Sequence, residues 1–315
     1  MSDLRAGVFG IGALGRHHTR ILSTLPGVEL CGIFDTNSAT AAAVAAEYGA
    51  TVAPTFEDLA DRIDIAVLAA PTSLHGELGL ELLRRGVHLM VEKPIASTLA
   101  EADALIAAAD AAGKVLAVGH VEFHNPAVQA LLDTPASPRF VEIERLGTFS
   151  PRSLDVDVIL DLMIHDLQIL QSMDSSPVIE VRATGIAVLS ERIDIANARI
   201  AFESGLVANV TASRISAERV RKIRAFFADR YLSLDYQAQE IKGYRLDTSA
   251  GARAILPANP PVTKAEPLHC ELSAFVASCL GKSVRQVDGK AGRQALATAL
   301  EVVAAAEPAP RASRA

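Results

Sequence analysis

Apolar positions in the first 120 residues fall in short runs that alternate with helical patterns. Leu4–Gly10, Val28–Phe34, Ile63–Ala69, Val87–Val91 and Lys114–Val118 read as strands. Arg16–Leu25, Ala39–Tyr48, Thr55–Asp61, Ser73–Arg85 and Leu99–Ala111 read as helices between them. Such alternation predicts right-handed crossovers and a doubly wound parallel sheet. Past a short helix at Asn125–Leu132, Pro135 and Pro138 mark a linker and the pattern changes. Arg139–Arg145, Ile179–Val188, Asn197–Phe202, Leu206–Ser213, Arg219–Phe227 and Tyr231–Leu234 read as strands, the later ones without intervening helices. That succession predicts a large, mainly antiparallel sheet. Lys264–Leu280 and Lys290–Ala306 read as closing helices, and Glu307–Ala315 as a frayed tail. The expected fold is α/β, with a doubly wound domain over 1–121 and an α+β domain over 122–315.

One apolar segment, Val156–Leu170, has the pattern of a helix buried on nearly all sides. Its polar exceptions are regular: Asp157, Asp161 and His165 stand four apart and Gln168 three later, which on an α-helix puts them on one face. Buried carboxylates are costly unless paired or used. An Asp one turn before a His can orient the imidazole and stabilise its charged form, as acid/base chemistry requires. Taken alone, the pattern fits a structural Asp–His pair equally well.

Composition narrows the function classes. The 315 residues are 50% hydrophobic but only 4% aromatic, with no Trp, so the core is built from Ala, Leu, Val and Ile. A net charge of −7 argues against a general nucleic-acid or membrane-surface binder. Cys31, Cys270 and Cys279 have no metal spacing and leave an odd thiol, which fits a reducing compartment. With no signal-like N-terminus and no apolar run of membrane length, a cytoplasmic protein is expected.

The chemistry begins at Gly10-Ile-Gly-Ala-Leu-Gly15, a G-x-G-x-x-G set between a strand and a helix. The glycines serve a tight turn, approach of a pyrophosphate and helix–strand packing, and the helix N-terminus offers N–H groups to phosphates. The next strand ends in Asp35, twenty residues after Gly15. A carboxylate there accepts both ribose hydroxyls and repels a 2′-phosphate, and no Arg or Lys follows in Thr36-Asn-Ser-Ala. The pattern therefore favours NAD over NADP. Ligands of such sheets lie beyond the strand C-termini, where Ala70-Pro71-Thr72 with His75, Glu92-Lys93-Pro94 and Gly119-His120 fall. The candidate cofactor contacts are Gly10, Ile11, Gly12, Leu14, Gly15, Asp35, Thr36, Pro71, Thr72, His75, Glu92 and Lys93. His75 and His120 are also compatible with simple bonding to loop carbonyls.

With Glu92-Lys93-Pro94 added to the glycine motif, Asp35 and Asp161-x-x-x-His165, the chain resembles the glucose–fructose oxidoreductase/inositol dehydrogenase/MocA family. The likeness runs from about Leu4 to Val303. It implies a Rossmann domain and a second-domain sheet used for homo-oligomers, dimer or tetramer. It also implies that Lys93 and His165 meet across the domain cleft beside the nicotinamide, and it allows a cis bond before Pro94. Narrower segments resemble the bacterial UDP-N-acetylglucosamine 3-dehydrogenases: Val118–Glu122 with Asn125-Pro126, Arg145–Arg152, Asp155–Asp166, Asp194–Arg199 and Asn209–Arg214. The resemblance implies NAD-dependent oxidation of a nucleotide-sugar alcohol, with Lys93, Asp161 and His165 catalytic. Substrate contacts implied are Lys93, His120, Glu122, Asn125, Arg152, Asp161, His165 and Arg214, with Arg152 and Arg214 on the diphosphate. The remaining basic residues at Arg219, Arg221, Lys222 and Arg224 read as a solvated strand face. Where the subgroup carries Arg-Phe, Phe123-His124 stand here, which removes a cation that His124 replaces only when protonated. Alternatives are a free-sugar or cyclitol dehydrogenase, an NAD-assisted glycosidase and a non-catalytic NAD sensor. No metal is expected.

Overall fold

The computed structural model describes residues 3–150, 156–249 and 253–306, so Arg152 and the expected tail lie outside the described residues. Two compact units form, residues 1–124 with 266–293 and residues 125–265 with 294–315. The expected closing helix, observed at Pro267–Cys279, therefore groups with the first unit rather than the second. Its Leu272, Phe275 and Val276 explain why, since they join Ala6, Val8, Ile21 and Ile33 in one apolar cluster.

The first unit runs β1 (Leu4–Phe9), α1 (Ala13–Leu22), β2 (Val28–Phe34), α2 (Ser38–Tyr48), α3 (Phe56–Ala60), β3 (Ile65–Leu68), α4 (His75–Arg84), β4 (His88–Glu92), α5 (Leu99–Ala112) and β5 (Leu116–Gly119). All its strand pairs are parallel, in the order β2-β1-β3-β4-β5. A parallel bridge between Ile33 and Val52 adds a further segment beside β2. Counted with that segment, the order is 3-2-1-4-5-6, that of dinucleotide-binding sheets. β3 and β5 are buried throughout, as a sheet covered on both faces requires. Asn37, Thr55 and Thr98 cap α2, α3 and α5 by accepting from Thr40, Asp58 and Glu101 backbone N–H groups. Each such cap contributes about 1 kcal/mol and fixes where its helix begins.

The second unit contains α6 (Pro126–Leu132), β6 (Phe140–Leu146), α7 (Ile164–Met173), β7 (Val178–Ile186), β8 (Ile195–Phe202), β9 (Val207–Ser213), β10 (Val220–Phe226), β11 (Arg230–Asp235), β12 (Glu240–Asp247) and β13 (Ala254–Pro257). α8 (Pro267–Cys279) and α9 (Gly289–Ala306) close the chain, α9 passing from the first unit to the second after Arg293. The eight-stranded sheet has the order β13-β12-β11-β10-β6-β9-β8-β7 and is antiparallel except for β6 against β9. α7 is buried without a break from Ile164 to Leu170 and shares a core with Val141, Ile143, Ala198, Ile200 and Val210. β12 and β13 were not anticipated, because Glu240–Asp247 mixes charges with a glycine. That glycine is required: a Cβ on Gly243 would stand 1.9 Å from the Tyr231 carbonyl oxygen on β11.

Candidate active site

In the first unit the glycine loop has three distinct jobs. Gly10 has φ +84°, and a Cβ there would meet the Ala70 backbone nitrogen at 2.6 Å. A Cβ on Gly15 would collide with the Gly10 carbonyl oxygen at 1.9 Å. A Cβ on Gly12 would meet nothing within 4 Å, so open space, not protein packing, lies against this turn. This cradle at the start of α1 fits a dinucleotide phosphate. Leu14, Thr36 and Pro71 are exposed at the same rim and Thr72 is half-buried, while Ile11 is in the core. Asp35 is half-buried and held by two backbone donors, Ile11 N–H at 2.5 Å and Asn37 N–H at 2.8 Å. The carboxylate is thereby fixed beside the loop. NAD should bind about tenfold or more tightly than NADP, whose 2′-phosphate would face this charge. Asp35→Ala with Thr36→Arg should narrow or reverse that ratio in calorimetric titration. Equal wild-type affinities would remove Asp35 from ribose recognition.

The Lys93–Pro94 bond is cis. His75, expected among the cofactor contacts, instead sets its two ring nitrogens 2.9 Å from the Pro94 and Ala70 carbonyl oxygens. It ties the loop after Lys93 to the loop after β3, and burial, only partly offset by those carbonyls, lowers its pKa. Glu92, expected at the cofactor, turns inward. Its Oε1 lies 2.7 Å from His18 Nε2, and its Oε2 accepts the Lys93 N–H at 3.2 Å. Gly119 makes room for it, since a Cβ there would sit 2.9 Å from Oε2. Glu271 on α8 is buried too, and neither oxygen has a hydrogen-bond partner among the described residues. Burial, and then neighbouring Glu92, push its pKa well above the usual range. Sequence reasoning missed His18 and Glu271, whose polar heads within α1 and α8 were the available signal.

His120, expected among the substrate contacts, is fully buried. Burial first, then the charge on Lys93, lowers its pKa to about 3. Glu122 is 9% exposed. Phe123 and His124 pack ring to ring, centroids 5.2 Å apart, and burial lowers the His124 pKa to about 4. His124 is therefore neutral near pH 7 and does not replace the arginine of the subgroup.

In the second unit the helix expected over Val156–Leu170 is not uniform. Ile159–Met163 forms a π turn before α7. The i→i+5 bonding of such a turn advances the helical face by about one residue, and π turns are frequent at functional sites. The four polar residues consequently do not form one functional face. Asp157 Oδ1 accepts the Ile193 N–H at 3.0 Å, and Gln168 is buried with its amide donating to Ser172 Oγ at 2.8 Å. Asp161 lies on the π turn, half-buried, and His165 in the first turn of α7 is 8% exposed. Asp166, passed over in the sequence, is fully buried and grips Arg145 through two hydrogen bonds of 2.7 Å. Tyr236 Oη donates to Asp166 at 3.1 Å, and its ring lies 4.9 Å from the Arg145 guanidinium.

Two expected substrate contacts also bond within the protein. Asn125 caps α6 by accepting the Ala127 N–H, and its amide donates to the Tyr236 carbonyl. Arg214 lies 3.2 Å from Asp194 and donates to the Val156 and Ile193 carbonyls. Burial opposes ionisation of Asp194, but the Ser190 hydroxyl and the N–H groups of Val188, Leu189 and Ser190 overcome it and hold the pKa at about 2. Arg214 does line a cavity of about 250 Å³ with Arg145, Arg219, Arg221, Thr148 and Asp161.

A parallel 3-2-1-4-5-6 sheet with a fitted phosphate cradle, followed by a mainly antiparallel sheet and a π turn and helix that carry Asp161 and His165, defines a two-domain dinucleotide-dependent oxidoreductase. Residues 4–120 match the family model of the oxidoreductase family with the NAD-binding Rossmann fold. The chain is 37% identical over 310 residues to the UDP-N-acetylglucosamine 3-dehydrogenase of Acidithiobacillus ferrooxidans, covering 98% of each chain. The solved structure of that enzyme superposes with a TM-score of 0.89 over 98% of this chain and 99% of its own. A scyllo-inositol 2-dehydrogenase (NAD(+)) of Bacillus subtilis is 26% identical over 68% of each chain. Levoglucosan dehydrogenase, solved with NADH and levoglucosan, shares the fold at a TM-score of 0.84 and 18% identity over 97% of each chain. The chain belongs to the Gfo/Idh/MocA oxidoreductase family and is an NAD-dependent oxidoreductase.

Proposed function

We propose that this enzyme oxidises C3 of UDP-N-acetylglucosamine to the 3-keto sugar. The observation that carries the reading is the 37% identity to the Acidithiobacillus enzyme of that activity, which extends over 98% of both chains. NAD supplies the hydride acceptor. His165, neutral, removes the hydroxyl proton, and Lys93 hydrogen-bonds the same oxygen and stabilises its developing negative charge. Asp161, one turn before His165, orients the imidazole and accepts a hydrogen bond from a sugar hydroxyl. The alcohol thus loses a hydride and a proton to give the ketone, which an aminotransferase can convert to a 3-amino sugar of the lipid A type.

The chain works in the cytoplasm as a homo-oligomer through its second-unit sheet. Ile179, Ile186, Tyr244 and Ile255 support that assembly, since each is more than half exposed on this sheet. No helix among the described residues is long and apolar enough to cross a membrane.

Deuterium placed at C3 of the sugar nucleotide should appear at C4 of the nicotinamide. A transaminase that accepts the keto sugar should pull the unfavourable oxidation forward, and a 3-amino sugar nucleotide should accumulate. Retention of label on the sugar nucleotide, with rapid NAD reduction by free inositol or glucose, would instead establish a free-sugar or cyclitol dehydrogenase.

A further inference from the structure

In the first unit, the end of β4 is shaped around a carboxylate that the sheet does not need for packing. Glu92 is 7% exposed and His18 fully buried, yet an apolar pair of similar volume would fill the same space without the cost of desolvation. The neighbouring elements instead accommodate the polar group. From α1, His18 sets Nε2 2.7 Å from Glu92 Oε1. An ionised carboxylate only accepts, so the ring donates to it through Nε2. From β5, Gly119 leaves space, since a Cβ there would stand 2.9 Å from Glu92 Oε2. That oxygen accepts the N–H of Lys93 at 3.2 Å. Beyond the lysine, His75 brings Nδ1 to 2.9 Å from the Pro94 carbonyl oxygen. The backbone carrying Lys93 is thus held before and after by contacts that lead back to two buried histidines. Glu271 on α8 adds a second buried carboxyl group, close enough to feel the charge of Glu92.

We propose that His18 and Glu92 are positioning residues, which fix the backbone of Lys93 from the helix that begins at the phosphate cradle. The inference rests on the reading of Lys93 as the group that stabilises the developing oxyanion, and adds to it what holds that group in place. His18 follows Gly12 by six residues, a rise of about 9 Å along a helix. Its ring therefore joins the helix end suited to a dinucleotide phosphate to the lysine at the strand-end rim. Seating of the cofactor and placement of the lysine then depend on one helix. His18 also gives Glu92 a donor, which keeps its carboxylate turned towards the Lys93 N–H despite the repulsion expected from a second carboxylate nearby.

The test is a double-mutant cycle on the full-length, NAD-saturated protein. Its readout is single-turnover hydride transfer from UDP-N-acetylglucosamine, or from inositol or glucose should the free-sugar reading hold. His18→Leu keeps much of the bulk of the ring but removes the donor. It should slow transfer by about 10- to 100-fold, the scale for a reacting group misplaced by about 1 Å. In the Lys93→Ala background the same substitution should slow transfer by no more than about twofold, because the group it misplaces is gone. His18→Gln and His18→Asn separate position from packing. The glutamine amide nitrogen reaches about as far as Nε2 and should restore most of the rate, whereas that of asparagine stops near the place of Nδ1 and should not. Melting temperature and NAD affinity report whether each variant folds. If His18→Leu does not, the glutamine and asparagine variants and their cycles with Lys93→Ala carry the test. Equal slowing by His18→Leu with and without Lys93, or equal rates for the glutamine and asparagine variants, would overturn the inference and leave the role of Lys93 standing. Near-normal transfer by Lys93→Ala alone would overturn both.

Discussion

His165→Ala and Lys93→Ala should each lower turnover by roughly a hundredfold or more, the usual scale for a general base and for a group that stabilises a developing oxyanion. The variants should differ in what else they change. His165 lies on α7 in the second unit, far in sequence from the glycine loop, so His165→Ala should leave NAD affinity unaltered. Added imidazole should restore part of its turnover, because the lost function is proton removal. Lys93 follows β4 at the strand-end rim, beside the cis bond to Pro94, and its replacement need not be neutral for cofactor binding. The deciding measurement is single-turnover hydride transfer with the deuterated sugar nucleotide. Near-normal transfer by His165→Ala would remove the histidine from the mechanism, and near-normal transfer by Lys93→Ala would leave the oxyanion to another group.

The features most legible in the sequence are those whose geometry is local. Gly10, Gly12 and Gly15 act through their own backbone and immediate surroundings, so spacing between a strand and a helix was enough to interpret them. Asp35 at the end of β2 is likewise held by nearby backbone donors. Arg214, Asn125, His75 and Glu92 are less legible for the opposite reason. Each is a polar residue in a suggestive segment, but distant partners such as Asp194, Tyr236, Pro94 and His18 decide where its hydrogen bonds go. The exception could have been read. Val141, Ile143 and Arg145 alternate on the inward face of β6, and a guanidinium there demands a buried anion. Asp166, next to His165, was the available carboxylate. The π turn could not be anticipated, because nothing in Ile159–Met163 distinguishes an i→i+5 turn from an ordinary helix by periodicity.

That buried pair carries the largest expected effect on stability. Arg145 is 2% exposed and Asp166 fully buried, so removing one partner strands a charge or its donors in a medium that cannot solvate them. Asp166→Ala should destabilise the fold by about 3–5 kcal/mol, the range for breaking a buried ion pair. At roughly 2–4 °C per kcal/mol for a chain of this class, the melting temperature should fall by about 10 °C. Part of the loss is the Tyr236 hydroxyl, which would lose its acceptor, so Tyr236→Phe in the Asp166→Ala background should recover some stability. The double replacement Arg145→Met/Asp166→Leu should recover most of it, because an apolar pair of similar volume avoids both desolvation costs. Denaturant unfolding of the set separates burial of charge from simple loss of contact. If Asp166→Ala costs less than about 1 kcal/mol, the pair is not anchoring α7 to β6, and His165 must owe its position to the apolar contacts of α7 alone.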